Sequence, residues 1–205
     1  KSINLLGGGP GSGKTIFGMQ YLVNGTREFN ENGVYITFEQ DQDEIERLFD
    51  EMGWDLEELE KQKKVIILRI DPEQIHKLLE AGGGTLRDSI EGINAKRVVI
   101  DSISDFLLLY KTDLDKRTAV TDLFNLLAKM KVTSLIISEQ ETDPLKHVTS
   151  IIEYQVDGVI LLYNERIGHV RQRALEIFKM RGTKHAGRIL PMVISNNGVS
   201  IRVGS

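Results

Sequence analysis

The stretch "GGPGSGKT", residues 8–15, decides how this chain is read. It fits the pattern G-x-x-x-x-G-K-[ST] and stands between a short apolar run, "INLL" at residues 3–6, and a segment of helical character from Thr15 to Phe29. Gly8, Gly9, Gly11 and Gly13, with Pro10 and Ser12 between them, allow successive backbone N–H groups to turn inward around phosphate oxygens. The helix that follows presents its positive end to the same anion. Lys14 is expected to reach the β- and γ-phosphates of a nucleoside triphosphate, Thr15 to offer its hydroxyl to Mg2+, and Ile16 to lie beside the phosphates in the first helical turn.

Working outward, short β-branched runs alternate with longer helical stretches, the signature of a mostly parallel sheet covered by helices. Strands are expected at "INLL", "VYITF", "VIILRI", "RVVID" and "SLIISE". Helices are expected at residues 15–29, "DEIERLFDEMGW", "TLRDSIEGINA" and "KRTAVTDLFNLLAKM", the last with Val120, Leu123, Phe124 and Leu127 at helical spacing. "AGGG" at residues 81–84 is expected to be a mobile loop. Beyond residue 156 the pattern becomes "DGVILLYNER" and "HVRQRALEIFKMRG" about an Ile167-Gly168 turn, then "RILPMVIS" and "VSIRV" about Asn196-Asn197-Gly198. This end reads as antiparallel hairpins extending the sheet, with Asn-Gly favouring a primed turn.

The chain has 205 residues, 40% apolar and 27% charged, which suits one folded domain spanning residues 1–205. The absence of an initiator Met is expected to reflect a missing N-terminal segment. There is no cysteine, so thiol nucleophiles and Cys-based metal sites are excluded. No apolar run is long enough to cross a bilayer and no signal segment opens the chain, so a cytoplasmic protein without membrane contact is expected. A net charge of −4 gives no whole-molecule attraction to nucleic acid.

A phosphate-binding loop needs a carboxylate to hold its metal, and "RVVID" supplies Asp101 at a strand end. Hydrolysis also needs a group that takes a proton from water. Glu39, at the end of "VYITFEQ", is the candidate base, because neighbouring parallel strand ends converge at the ligand-binding edge. Gln40 cannot take that role. "ISEQE" ends another strand, from which Ser138 or Glu139 would sense the γ-phosphate or serve a structural role; both readings stay open.

Taken together, "GPGSGKTIFGMQYLVNG", "GVYITFEQ", "MGWDL", "RVVIDSIS", "LEIFKMRGTKH" and "NGVSI" resemble the KaiC-like ATPases of the RecA/RadA superfamily, in order and over nearly the whole chain. The resemblance implies a RecA-like α/β fold, ATP or ADP as ligand with Mg2+, and a homo-oligomeric ring, often a hexamer, with ATP between subunits. It implies that Lys179 and Arg181 are catalytic in trans, pointing into a neighbour's nucleotide. It also places Met180, Thr183, His185, Ser195 and Asn196 near base and ribose, with Glu51 a further candidate. Strand alternation independently puts Lys179 and Arg181 on one face, about 7 Å apart, with Met180 on the other. Many such modules carry two adjacent glutamates where this chain has Glu39 and Gln40. The clock protein that names the family has two modules in tandem, so clock function and autophosphorylation are not implied.

Charge is segregated as well. Eleven acids against the single base Arg47 lie between Glu39 and Glu60, and eight Lys or Arg against the single acid Glu176 lie from Arg166 onward. Opposite signs on two surfaces favour head-to-tail contact. The expected function is an ATP-hydrolysing oligomeric switch or motor in signalling or regulation, with room for a further protein partner. Two alternatives stand beside it. One is a RadA-like DNA-dependent ATPase, although its two pore-facing loops, near "LLLYKTDLDKR" and "ETDPLKHVTSIIEYQ", offer only Tyr110 and Tyr154 for stacking. The other is a regulatory nucleotide-binding module with negligible turnover.

Overall fold

The structure, a computed structural model, describes residues 1–80, 82–140, 143, 145 and 150–202. Among the described residues nine strands form one sheet in the order β3-β2-β4-β5-β1-β6-β7-β8-β9. They are β1 (Ile3–Gly8), β2 (Gly33–Thr37), β3 (Val65–Arg69), β4 (Arg97–Asp101), β5 (Thr133–Glu139), β6 (Gly158–Ile167), β7 (Val170–Met180), β8 (Leu190–Ser195) and β9 (Gly198–Ile201). Pairing is parallel from β3 through β1 to β6. From β6 to β9 it is antiparallel. The expected mixed α/β fold with antiparallel C-terminal hairpins is therefore observed.

Alternation along the central strands sorts side chains into two cores. Val34, Ile36, Val98, Ile100 and Ile136 face one side; Tyr35, Val99, Leu135 and Ile137 face the other. Helices α1 (Lys14–Phe29), α2 (Gln42–Asp50) and α3 (Leu56–Lys61) bring their buried residues to the second side. Helices α4 (Pro72–Glu80), α5 (Gly84–Gly92), α6 (Ile103–Leu107) and α7 (Asp113–Met130) cover the first. Val120, Leu123, Phe124 and Leu127 of α7 are buried there, as their spacing requires. Among the described residues no helix is long and apolar enough to cross a membrane.

Three local readings change. The glycines at 82–84 all have positive φ, and Gly83 N–H donates to Leu78 O at 2.7 Å, so they close α4 and open α5; Ala81 lies outside the described residues. The β6–β7 turn is Gly168-His169, with Ile167 still paired to Val170. In the last hairpin the positive φ belongs to Gly198, at 95°, not to Asn196 or Asn197. That pattern is a type I turn with a glycine bulge rather than a primed turn.

Candidate nucleotide site

The loop between β1 and α1 is held from several directions. Gly11 and Gly13 have φ of 69° and 100°, a region that L side chains rarely adopt. Ser12 Oγ donates to Gly9 O at 2.8 Å, Asn164 Nδ2 to Pro10 O at 3.1 Å and Arg173 Nε to Gly11 O at 2.9 Å. A Cβ on Gly13 would come within 2.5 Å of Ile194 Cδ1, so β8 seals the loop's far end. Lys14 is only 9% exposed, and its ammonium spans the loop to Gly9 O at 3.2 Å. The loop is thus fixed in shape, with the Lys14 ammonium lying across it.

A cavity of about 360 Å³ opens beside this loop. Pro10, Gly11, Gly13, Lys14, Thr15 and Ile16 line one wall, and Glu39, Asp101, Asp105 and Glu139 stand on the other. A larger cavity, about 500 Å³, lies between α4, α5 and α7 and contains none of the loop residues, so size does not locate the phosphate site.

Asp101 accepts from Thr15 Oγ1 at 2.9 Å and from Tyr35 Oη at 2.6 Å, both on Oδ2. Burial pushes its carboxyl above the usual range, against the two hydrogen bonds and the nearby Lys14 charge. Its peptide bond to Ser102 is cis. Thr15 hydroxyl and Asp101 carboxylate together are hard oxygen donors of the kind Mg2+ takes alongside phosphates and water. Among the described residues there is no group of three or more His, Cys, Asp or Glu that could hold a metal ion.

Glu39 is exposed at the cavity mouth. The negative charge of Asp105 raises its pKa most, followed by partial burial and a hydrogen bond with Asp105. Glu139 lines the same cavity, whereas Ser138 is buried at 5% exposure. Gln40 N–H donates to Thr37 Oγ1 at 3.1 Å, which fixes the turn that presents Glu39.

The other sequence candidates divide between two edges of the sheet. Gly8 pairs with Leu162, but Met180 pairs with Gly158, which is level with Asn4 at the start of β1. Lys179 and Arg181 thus stand at the edge opposite the phosphate loop, about 13 Å of strand away. Lys179 Nζ donates to the carbonyls of Glu153 and Val156 at 2.8 and 2.7 Å, and Arg181 donates to Tyr154 O at 3.2 Å. Both reach the same turn, as alternation requires. Their face, however, is set by a bulge: Lys179 pairs with Val159 and Ile177 with Ile160, so Phe178 is an extra residue that turns Lys179 away from the side of Leu175 and Ile177. Met180 packs over Gly158, and Thr183 and His185 are exposed just beyond. Ser195 and Asn196 lie instead at the tip of the β8–β9 hairpin, on the phosphate-loop edge. Glu51 caps α2 outside the cavity lining. Of the two suggested pore-facing loops, the second lies partly outside the described residues, at 141, 142, 144 and 146–149.

Sequence reasoning missed Asp105, Tyr35, Asn164 and Arg173. Asp105 had a signal, the Ser102-x-x-Asp105 spacing at a helix start, and Ser102 Oγ does donate to Asp105 Oδ2 at 2.7 Å.

The chain is 33% identical over 218 residues to a UPF0273 protein of Aeropyrum pernix, covering 98% of this chain and 85% of that one. It is 35% identical over 209 residues to the circadian clock oscillator protein KaiC of Synechococcus elongatus, covering 96% of this chain but 39% of that protein. A KaiC-like protein from the hyperthermophilic archaeon Pyrococcus horikoshii has the same fold, with a TM-score of 0.86 and 31% identity over 98% of this chain and 89% of that one. The sequence profile of the KaiC ATPase family matches residues 1–204, and the chain belongs to that family.

Proposed function

We propose that the chain binds ATP with Mg2+ at residues 8–15 and hydrolyses it slowly, each site being completed by a neighbouring copy in a homo-oligomeric ring, expected to be a hexamer. In this reading it acts as a switch or motor in signalling or regulation, with a further protein partner downstream. The observation that carries the proposal is the placement of Lys179 and Arg181 at the sheet edge opposite the phosphate loop. Side chains of their length cannot span about 13 Å to their own nucleotide, yet a head-to-tail neighbour would bring them to it. The same arrangement explains why Met180, Thr183 and His185 are separated from Ser195 and Asn196: one nucleotide meets one group from each copy.

Mg2+, when bound, would offset the charge of the phosphates. Thr15 and Asp101 would hold it, Asp101 through water. Lys14 leaves Gly9 O for the β- and γ-phosphates, while the loop's N–H groups orient them. Glu39 accepts a proton from the attacking water as the new O–P bond forms and the bond from γ-phosphorus to the ADP oxygen breaks, giving ADP and inorganic phosphate. Lys179 and Arg181 of the adjoining copy face the charge that spreads over the transferring group.

Sedimentation with and without ATP and Mg2+, together with phosphate release measured over hours across a dilution series, tests this. Ring formation and a specific activity that falls on dilution support it. A fully active monomer at high dilution contradicts it.

A further inference from the structure

Tyr35 is completely buried in β2, in a position a phenylalanine would fill as well as far as apolar packing is concerned. It pairs with Val99, and Asp101 lies two residues further along β4 on the same face. The tyrosine ring therefore runs diagonally toward the ligand-binding edge beneath α1. Gly18 of α1 lies above the ring: a Cβ there would make an ordinary 3.6 Å contact with Tyr35 Cε2, and crowd only the flanking Ile137 and Val99, each at 3.0 Å. At the end of this path the hydroxyl donates to Asp101 Oδ2 at 2.6 Å, a charge-assisted bond in a buried setting.

Thr15 donates to the same oxygen at 2.9 Å, but its position differs in kind. A threonine hydroxyl has one proton and two lone pairs, so Thr15 is shared between Asp101 and a metal. Tyr35 is fully covered and does not line the cavity, so it acts on a ligand only through Asp101. Because the terminal torsion of an aspartate is broad, one donor leaves the carboxylate free to swing. A second donor from β2, converging on Oδ2 from another element, fixes it and leaves Oδ1 for metal-bound water.

We propose that Tyr35 is a positioning residue for the metal: its hydroxyl locks the Asp101 carboxylate in the orientation that receives the hydrated ion of the bound nucleotide. This rests on Asp101 serving the metal, as proposed above.

The test compares Tyr35→Phe and Asp101→Asn with the unaltered full chain. Mn2+ binding to the ADP-loaded protein is followed by electron paramagnetic resonance, ADP binding is measured separately in EDTA, and melting is followed by circular dichroism. Phenylalanine keeps the ring, so the fold is expected to persist. The expected result for Tyr35→Phe is metal binding weakened about tenfold, with metal-free ADP binding unchanged. If Asp101→Asn weakens Mn2+ binding while Tyr35→Phe only lowers the melting temperature, the hydroxyl is merely structural and the proposal is overturned, with the role of Asp101 intact. If neither variant changes Mn2+ binding, the metal role of Asp101 fails and the proposal falls with it.

Discussion

The carboxylates of Glu39 and Asp105 line the same candidate nucleotide cavity, close enough for the charge of one to act on the other. The charge of Asp105 is the largest cause holding Glu39 above the ordinary glutamate range. A base works only when deprotonated, so kcat/KM for ATP is expected to fall with decreasing pH at a higher pH than an unperturbed glutamate would give. Asp105→Asn removes the charge and should move that acidic limb to lower pH. An unmoved limb in the pH profile of Asp105→Asn would contradict the pairing.

Burial holds the folded-state pKa of Asp101 above the unfolded value. A raised carboxylate pKa means that the ionised group subtracts from folding stability at pH values above it, a cost that fades as the pH falls through the folded-state pKa toward the unfolded one. Asp101→Asn keeps an acceptor for Thr15 and Tyr35 without the charge. The nucleotide-free variant is expected to melt higher, by about 2–4 °C for each kcal/mol relieved, while losing magnesium-dependent turnover. Calorimetry of the free protein checks the first part and phosphate release the second.

Gly13 combines a φ of 100° with a Cβ direction that ends 2.5 Å from Ile194 Cδ1. Gly13→Ala is expected to cost about 1–3 kcal/mol from the backbone alone and more from the clash. Adding Ile194→Ala should recover only the steric share. Urea unfolding of the single and double variants separates the two; full recovery in the double variant would mean the backbone is unstrained.

Much of this was legible in the order of residues. Each of the strands β1 to β5 contains an apolar run, because a parallel sheet covered by helices on both sides leaves its strands little solvent face on which to place polar residues. The candidate phosphate loop stands out because its pattern is local: glycines, lysine and threonine fall within eight consecutive residues. Helices α3, α4 and α6 escaped. Two of them span only six and five residues, too short for periodicity to show, although Asp71-Pro72 did mark the start of α4. The bulge at Phe178 was illegible for a different reason. It depends on the register between β6 and β7, which the sequence of either strand alone does not express. Tyr35 was hidden in turn, since a tyrosine amid valine and isoleucine reads as core until the neighbouring strand places a carboxylate at its tip.

The central claim is that one chain supplies the phosphate loop and the next supplies the cationic strand end. It is tested most directly by mixing two inactive variants, Lys14→Ala and Arg181→Ala, and measuring ATP hydrolysis. Each alone is expected to lose about a thousandfold or more in turnover. In a random mixed ring about one interface in four joins an intact loop to an intact Arg181, so the mixture should recover about a quarter of the unaltered activity. A mixture no more active than its two components, with mixed oligomers shown to form, would contradict the claim.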